Sequence, residues 1–117
     1  TAVGWSDWRG DHGPVVLLVW ASWAATADAV LDGLAELESA AGERGLRLAV
    51  LAVQEPVEDS RAALAGRNVD WLHDRHGALL KELRVIRVPA LVVVGAGGGV
   101  GDRLEWTASA SVELAGR

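Results

Sequence analysis

The chain switches between two hydrophobic rhythms, and the switches mark its elements. Val15 to Trp20 is an unbroken apolar run rich in β-branched residues, the pattern of a strand buried on both faces of a sheet. It predicts the central strand. From about Ala25 to Ala41 the period changes: Ala27, Val30, Leu31, Leu34, Leu37 and Ala41 recur at three- and four-residue steps, which puts them on one face of a single long helix. Asp28 and Asp32 fall in its first turns, where carboxylates suit the positive end of the helix dipole, and Gly42 stands at its stop. Leu46 to Val53 is again continuously apolar apart from Arg47. Strand, helix and strand in this order make a βαβ unit, whose two strands run parallel.

Pro56 suits the first turn of a second helix reaching about Gly66, Val69 to Leu72 reads as a short strand, and Gly77 to Leu83 as a short helix. Val88-Pro89 leads into Ala90 to Val94, a glycine-rich turn at Gly95 to Gly99, and Val100 to Trp106, together a β-hairpin. Residues 1–13 carry Gly, Asp and Trp without a sustained period and read as an irregular lead-in, with Trp5 and Trp8 covering a core edge. Ser109 to Arg117 is helix-compatible but short, as a truncated terminal helix would be. The expected fold class is α/β: a central mixed sheet, parallel through the βαβ unit and closed by an antiparallel hairpin, flanked by helices in a single domain over residues 1–117.

Composition narrows the function classes. A chain of 117 residues, 50% hydrophobic and 23% charged, encloses one core and leaves little room for disorder. A net charge of -5 without a basic stripe argues against a nucleic-acid partner. The longest apolar run, Pro14 to Ala21, is far short of the roughly 20 residues a membrane span needs, and no basic-then-apolar segment opens the chain. With no methionine and Thr1 in first place, we expect a chain trimmed or processed from a longer one. No pattern specifies an oligomeric state. The absence of cysteine removes disulfides, thiolate metal sites and every thiol mechanism. Six tryptophans occur without Phe or Tyr, a bias for which folding offers no reason.

Two stretches carry a family resemblance. The segment Val15-Val-Leu-Leu-Val-Trp20-Ala21-Ser22-Trp23-Ala24-Ala25-Thr26-Ala27 resembles the thioredoxin strand-to-helix junction, a hydrophobic strand followed by Trp-Ala-x-Trp-Cys-x-x-Cys, with both cysteines replaced. Trp71-Leu-His-Asp74, Gly77, a short amphipathic helix and Val88-Pro89 before a strand are similar to the thioredoxin-like thiol-disulfide oxidoreductases of the TlpA and ResA type. The likeness runs in order over about residues 8 to 106. It implies a thioredoxin fold and a cell-envelope setting. It also implies that Ala24 and Ala27 occupy the places of the attacking and resolving cysteines. In that family the first thiol sits at a helix N-terminus, where unpaired N–H groups stabilise the thiolate, and the second resolves the mixed disulfide. Two methyl groups can do neither. The buried acid that many thioredoxins carry on the central strand is replaced by Leu18. By the same resemblance Pro89 is cis and faces the motif, and Val88 offers its backbone to an extended protein or peptide segment. Trp23, Ala25, Thr26, Val88 and Pro89 are therefore the expected binding residues, and no cofactor is implied.

Other chemistry-bearing residues read as structural. His73, Asp74 and His76 with Asp70 could be taken for metal ligands, but the spacing is weak and His73-Asp74 falls on a polar loop of the family, so no metal is expected. Gly95 to Gly99 lacks the Gly-Lys-Ser/Thr ending of a phosphate loop and precedes a strand. Ser22, Ser60, Ser109 and Ser111 have no neighbouring histidine in sequence and no elbow motif, which leaves a hydrolase unsupported. Trp20 reads as core, whereas Trp23 suits a rim or a substrate contact equally well. Asp28, Asp32, Glu36 and Glu38 read as a solvated face. Three readings stay open: a disulfide oxidoreductase whose cysteines have been replaced by alanine, a redox-dead binding or chaperone module that uses the proline groove, and, as the weakest, a metal site.

Overall fold

The structure, a computed structural model, describes residues 2–3, 14–95, 100–106 and 114. Its elements in chain order are β1 (Ala2–Val3), β2 (Val15–Trp20), α1 (Ala27–Asp32), α2 (Leu34–Glu43), β3 (Arg47–Val53), α3 (Val57–Leu64), β4 (Asp70–Asp74), α4 (Ala78–Glu82), β5 (Ala90–Val94) and β6 (Val100–Glu105). They build one six-stranded sheet in the order β1-β4-β3-β2-β5-β6. β1 to β4, β4 to β3 and β3 to β2 pair in parallel, while β2 to β5 and β5 to β6 are antiparallel. The sheet is mixed and flanked by helices, the α/β class that the patterning predicts.

β2 is central because no side chain on it can face water. Val15 through Trp20 are all at 0% exposure, so each strand face must be covered. Alternation sends Val16, Leu18 and Trp20 to one face, where they pack with Val30, Leu31 and Leu37 of α1 and α2 and with Leu64 of α3. It sends Val15, Leu17 and Val19 to the other, against Leu83 and the partly buried Leu79 and Leu80 of the α4 region. Both edges of β2 are hydrogen-bonded, to β3 in parallel from Val15↔Arg47 to Trp20↔Ala52 and to β5 in antiparallel from Val15↔Val94 to Val19↔Ala90.

Four local expectations change. The single long helix is two: α1 begins at Ala27 rather than Ala25, and the chain breaks at Gly33, which lies at φ -95, ψ 7 and donates its N–H to the Val30 carbonyl three residues back, at 3.1 Å. The apolar period survives the break, because Val30 and Leu31 before it and Leu34 and Leu37 after it all stay buried. The lead-in contains an edge strand, β1, whereas Trp5 and Trp8 lie outside the described residues. Pro56 caps α3 from outside the helix, at φ -61, ψ 145. The short strand runs one residue later at its start and two at its end, over Asp70–Asp74. The turn residues 96–99 and most of the expected terminal helix lie outside the described residues; Leu114 is helical and fully buried in the core. Among the described residues no helix is long and apolar enough to cross a membrane.

The break at Gly33 generates a stability prediction. A Cβ built there would meet the Val30 and Ala29 carbonyls at 3.6 and 3.8 Å, ordinary contact distances, and the backbone angles suit any L-residue. Gly33→Ala should therefore stabilise the domain by about 0.5 to 1 kcal/mol through the lower entropy of its unfolded chain. Equilibrium urea unfolding measures this; a destabilised variant would mean the break is required by packing.

Candidate functional site

The C-terminal ends of β2 and β3 deliver the two loops on which the site is built. After Trp20 the chain turns twice before α1 starts: Ala24 N–H donates to the Ala21 carbonyl and Ala27 N–H to the Ala24 carbonyl, each at 3.1 Å. Trp20 locks the second turn, its indole Nε1 donating to the Ala27 carbonyl at 3.2 Å from a fully buried position. Positions 24 and 27 are thus joined by a backbone hydrogen bond across one turn. Ala24 lies in the turn that leads into the helix, half-buried, while Ala27 opens the helix and is buried at 6% exposure.

Pro89 comes to this turn from the start of β5, the strand paired with β2. The Val88–Pro89 peptide bond is cis, and the Pro89 carbonyl accepts the Trp106 N–H at 3.3 Å, which ties the start of β5 to the end of β6. Trp23, Ala25, Thr26, Gln54, Val88 and Pro89 line one groove of about 530 Å3, which also touches Leu80, Ile86, Arg87 and Trp106. The five sequence-derived binding residues therefore share one concavity. Ala24 and Ala27 do not line it. Trp23 stands 56% exposed on the rim and Ile86 95% exposed, an unusual degree of exposure for large apolar side chains. Among the described residues the Val88 N–H and carbonyl form no backbone hydrogen bond.

A buried acid, missed in the sequence, holds the motif loop in place. Glu55, at 5% exposure, lies two residues past the end of β3. Its Oε1 accepts both the Ser22 N–H and the Ser22 hydroxyl at 2.7 Å, and its Oε2 accepts the Ser60 hydroxyl. The His73 ring Nε2 lies 2.7 Å from the Glu55 carbonyl. One carboxyl group thereby ties the loop between β2 and α1 to the first turns of α3. Its neighbour Gln54 lines the groove in the left-handed region, at φ 56, where a residue with a Cβ is strained and needs surrounding structure to hold it. The Gln54 N–H is held by the Asp74 carbonyl at 2.9 Å. In sequence, a glutamate before proline at a helix start reads as solvent-facing. Only its serine partners, one on a separate loop, reveal its burial.

Three of the four residues considered as metal ligands, all but His76, are engaged with other groups. His73 faces the Glu55 carbonyl, Asp74 accepts the Leu80 N–H at 2.9 Å, and Asp70 lies 3.9 Å from Arg47. Among the described residues no three acidic or imidazole groups converge on one point. Leu18, where many thioredoxins place an acid, is fully buried among apolar side chains.

No family model matches the chain, and no curated protein matches it. Solved structures do. The chain is similar to a protein assigned as the thiol:disulfide interchange protein DsbE of Chlorobium tepidum, at TM-score 0.76 and 17% identity over 96% of this chain and 80% of that one. It is similar to a secreted disulfide oxidoreductase of Mycobacterium tuberculosis homologous to DsbE of E. coli, at TM-score 0.67 and 21% identity over 95% and 82%. StoA of Bacillus subtilis matches at TM-score 0.69 and 16% identity over 88% and 82%. The chain shares the thioredoxin-like fold of these structures, and it has no cysteine.

The Glu55 cluster makes a measurable claim. Glu55→Ala strands the Ser22 N–H and two hydroxyls without their acceptor, and should cost about 2 to 4 kcal/mol in urea unfolding. Ser60→Ala removes one donor and should cost about 1 to 2 kcal/mol. A Glu55→Ala variant as stable as the parent would show that the carboxyl group does not tie the loop.

Proposed function

We propose that this domain binds an extended peptide or protein segment in the groove between Trp23 and Pro89, without exchanging disulfides, on a scaffold of the oxidoreductase type. The observation that carries this reading is the groove itself, an apolar concavity with an exposed indole on its rim and main-chain groups at Val88 that have no hydrogen-bond partner among the described residues. Such a segment would add as a short strand along Val88, with main-chain hydrogen bonds giving affinity and an apolar side chain set against Trp23. None of these contacts needs a thiol. The cell-envelope setting is supported by the likeness to a secreted disulfide oxidoreductase.

A second reading, that the scaffold belongs to an oxidoreductase whose cysteines are replaced, is favoured by the unequal environments of positions 24 and 27. The half-buried Ala24 precedes the helix and the buried Ala27 begins it. An attacking sulfur needs access to the substrate disulfide, and a resolving sulfur needs only to reach the first. The two positions supply that difference.

Each reading has its own test. Trp23→Ala should weaken binding of extended heptapeptides from a fluorescent array by about tenfold, the loss of an aromatic contact residue, with unfolding unchanged because the side chain is more than half exposed. Unaltered binding would remove the groove's rim from the interaction. Ala24→Cys together with Ala27→Cys should form a disulfide and reduce insulin with dithiothreitol as electron donor. A folded double variant that forms no disulfide would overturn the oxidoreductase reading.

A further inference from the structure

We propose that the groove selects segments carrying acidic side chains beside their apolar anchor, through a cationic rim formed by Arg84, Arg87 and Arg103. The inference rests on the groove reading above and adds the chemistry of the partner. On the far side of the Ile86-Arg87 segment lies a second depression of about 360 Å3, lined by Arg84, Arg87 and Arg103 with the apolar Val85, Ile86 and Leu104 among its other walls. It shares Ile86 and Arg87 with the peptide groove, so the two concavities meet across one short stretch of chain. Among the described residues, the linings of both hold three arginines and no acid. The chain as a whole carries 16 acidic against 11 basic residues. The lining of the two concavities thus has the opposite sign to the net charge of the chain.

The arginines are presented differently. Arg103 donates its Nε–H to the Leu83 carbonyl at 2.8 Å, which holds the guanidinium in one orientation and leaves its terminal nitrogens without a hydrogen bond among the described residues. Arg84 is exposed, at φ 56, with no side-chain hydrogen bond or ion pair among the described residues. Arg87 lines both concavities. Guanidinium groups bind carboxylates through paired N–H donors. Ile86, 95% exposed between two of them, supplies apolar surface that a hydrophobic side chain would cover. The complementary segment is therefore extended, with an aliphatic or aromatic residue for the Trp23 side and a carboxylate a few residues away for the arginines.

The sign of the effect makes the proposal testable, because the net charge of -5 would by itself favour a basic peptide. The probes are three fluorescein-labelled heptapeptides, Gly-Glu-Val-Leu-Val-Glu-Gly and its counterparts with Gln or Lys in place of Glu, titrated by fluorescence polarisation at low salt. The Glu peptide should bind about tenfold tighter than the Lys peptide, with the preference shrinking as salt screens it. Arg84→Glu should weaken the Glu peptide about threefold, the scale of one exposed charge pair. Arg61→Glu, the same charge change on exposed α3, should leave it unaltered. Equal affinity for all three peptides would overturn the charge selection while leaving the groove reading intact. Equal damage from Arg61→Glu and Arg84→Glu would overturn the local rim. No binding of any peptide to the folded protein would overturn both the groove reading and this inference.

Discussion

The structure depends on the complete burial of one strand. Because every side chain from Val15 to Trp20 is withdrawn from water, β2 must have a hydrogen-bonded neighbour on each edge and a helical layer on each face. That requirement puts β3 on one side and β5 on the other. It also decides where the chemistry can be. The loop leaving the C-terminal end of β2 emerges beside the end of β3 and the start of β5, and these three places supply Trp23, Gln54 and Pro89 to one groove. Ligands of open α/β sheets bind at such strand ends for the same geometric reason.

Burial of β2 delivers the loop but does not hold its shape. That task falls to polar groups of modest number. Trp20 grips the Ala27 carbonyl from below, and Glu55 grips Ser22 from the side. The acid is worth comparing with the usual thioredoxin arrangement, where a carboxylate on the central strand lies beneath the thiols. Here Leu18 fills that place with a hydrocarbon, and the buried acid stands at the end of the neighbouring strand, engaged with a loop N–H and two hydroxyls. A carboxyl group in this position shapes the loop, which a binding site requires as much as a catalytic one does.

The legible parts of the molecule were those written in a repeating pattern. The six-residue apolar run, the three-and-four spacing and the hairpin each extend over several residues, so their signals accumulate, and the Trp-x-x-Trp and Val-Pro landmarks set the groove residues side by side. What escaped was written in single residues. Gly33 interrupts the helix without interrupting its apolar period, because a glycine lacks the Cβ that would favour helical geometry yet leaves the buried stripe in phase. β1 is too short to show alternation. Glu55 depends on Ser22, 33 residues away in the chain, and the rim on Arg84, Arg87 and Arg103, which only the closure of the hairpin brings together.

A chain without cysteine has to discriminate among partners by other means than an enzyme that exchanges disulfides. An enzyme that attacks a disulfide gains much of its selectivity from the covalent step, since only a sulfur-bearing partner reacts, and the surrounding groove needs to hold that partner only briefly. A groove that binds without reacting has no such filter. Its discrimination has to reside in the noncovalent surface, in shape, main-chain hydrogen bonding and charge. Exposed Trp23 and Ile86 would, by themselves, attract any apolar segment. In the proposed site, a cluster of arginines beside them, on a molecule of net negative charge, would supply both an attraction for acidic segments and a repulsion toward basic ones. In a domain without thiols that binds as proposed, selectivity resides in the surface around the groove.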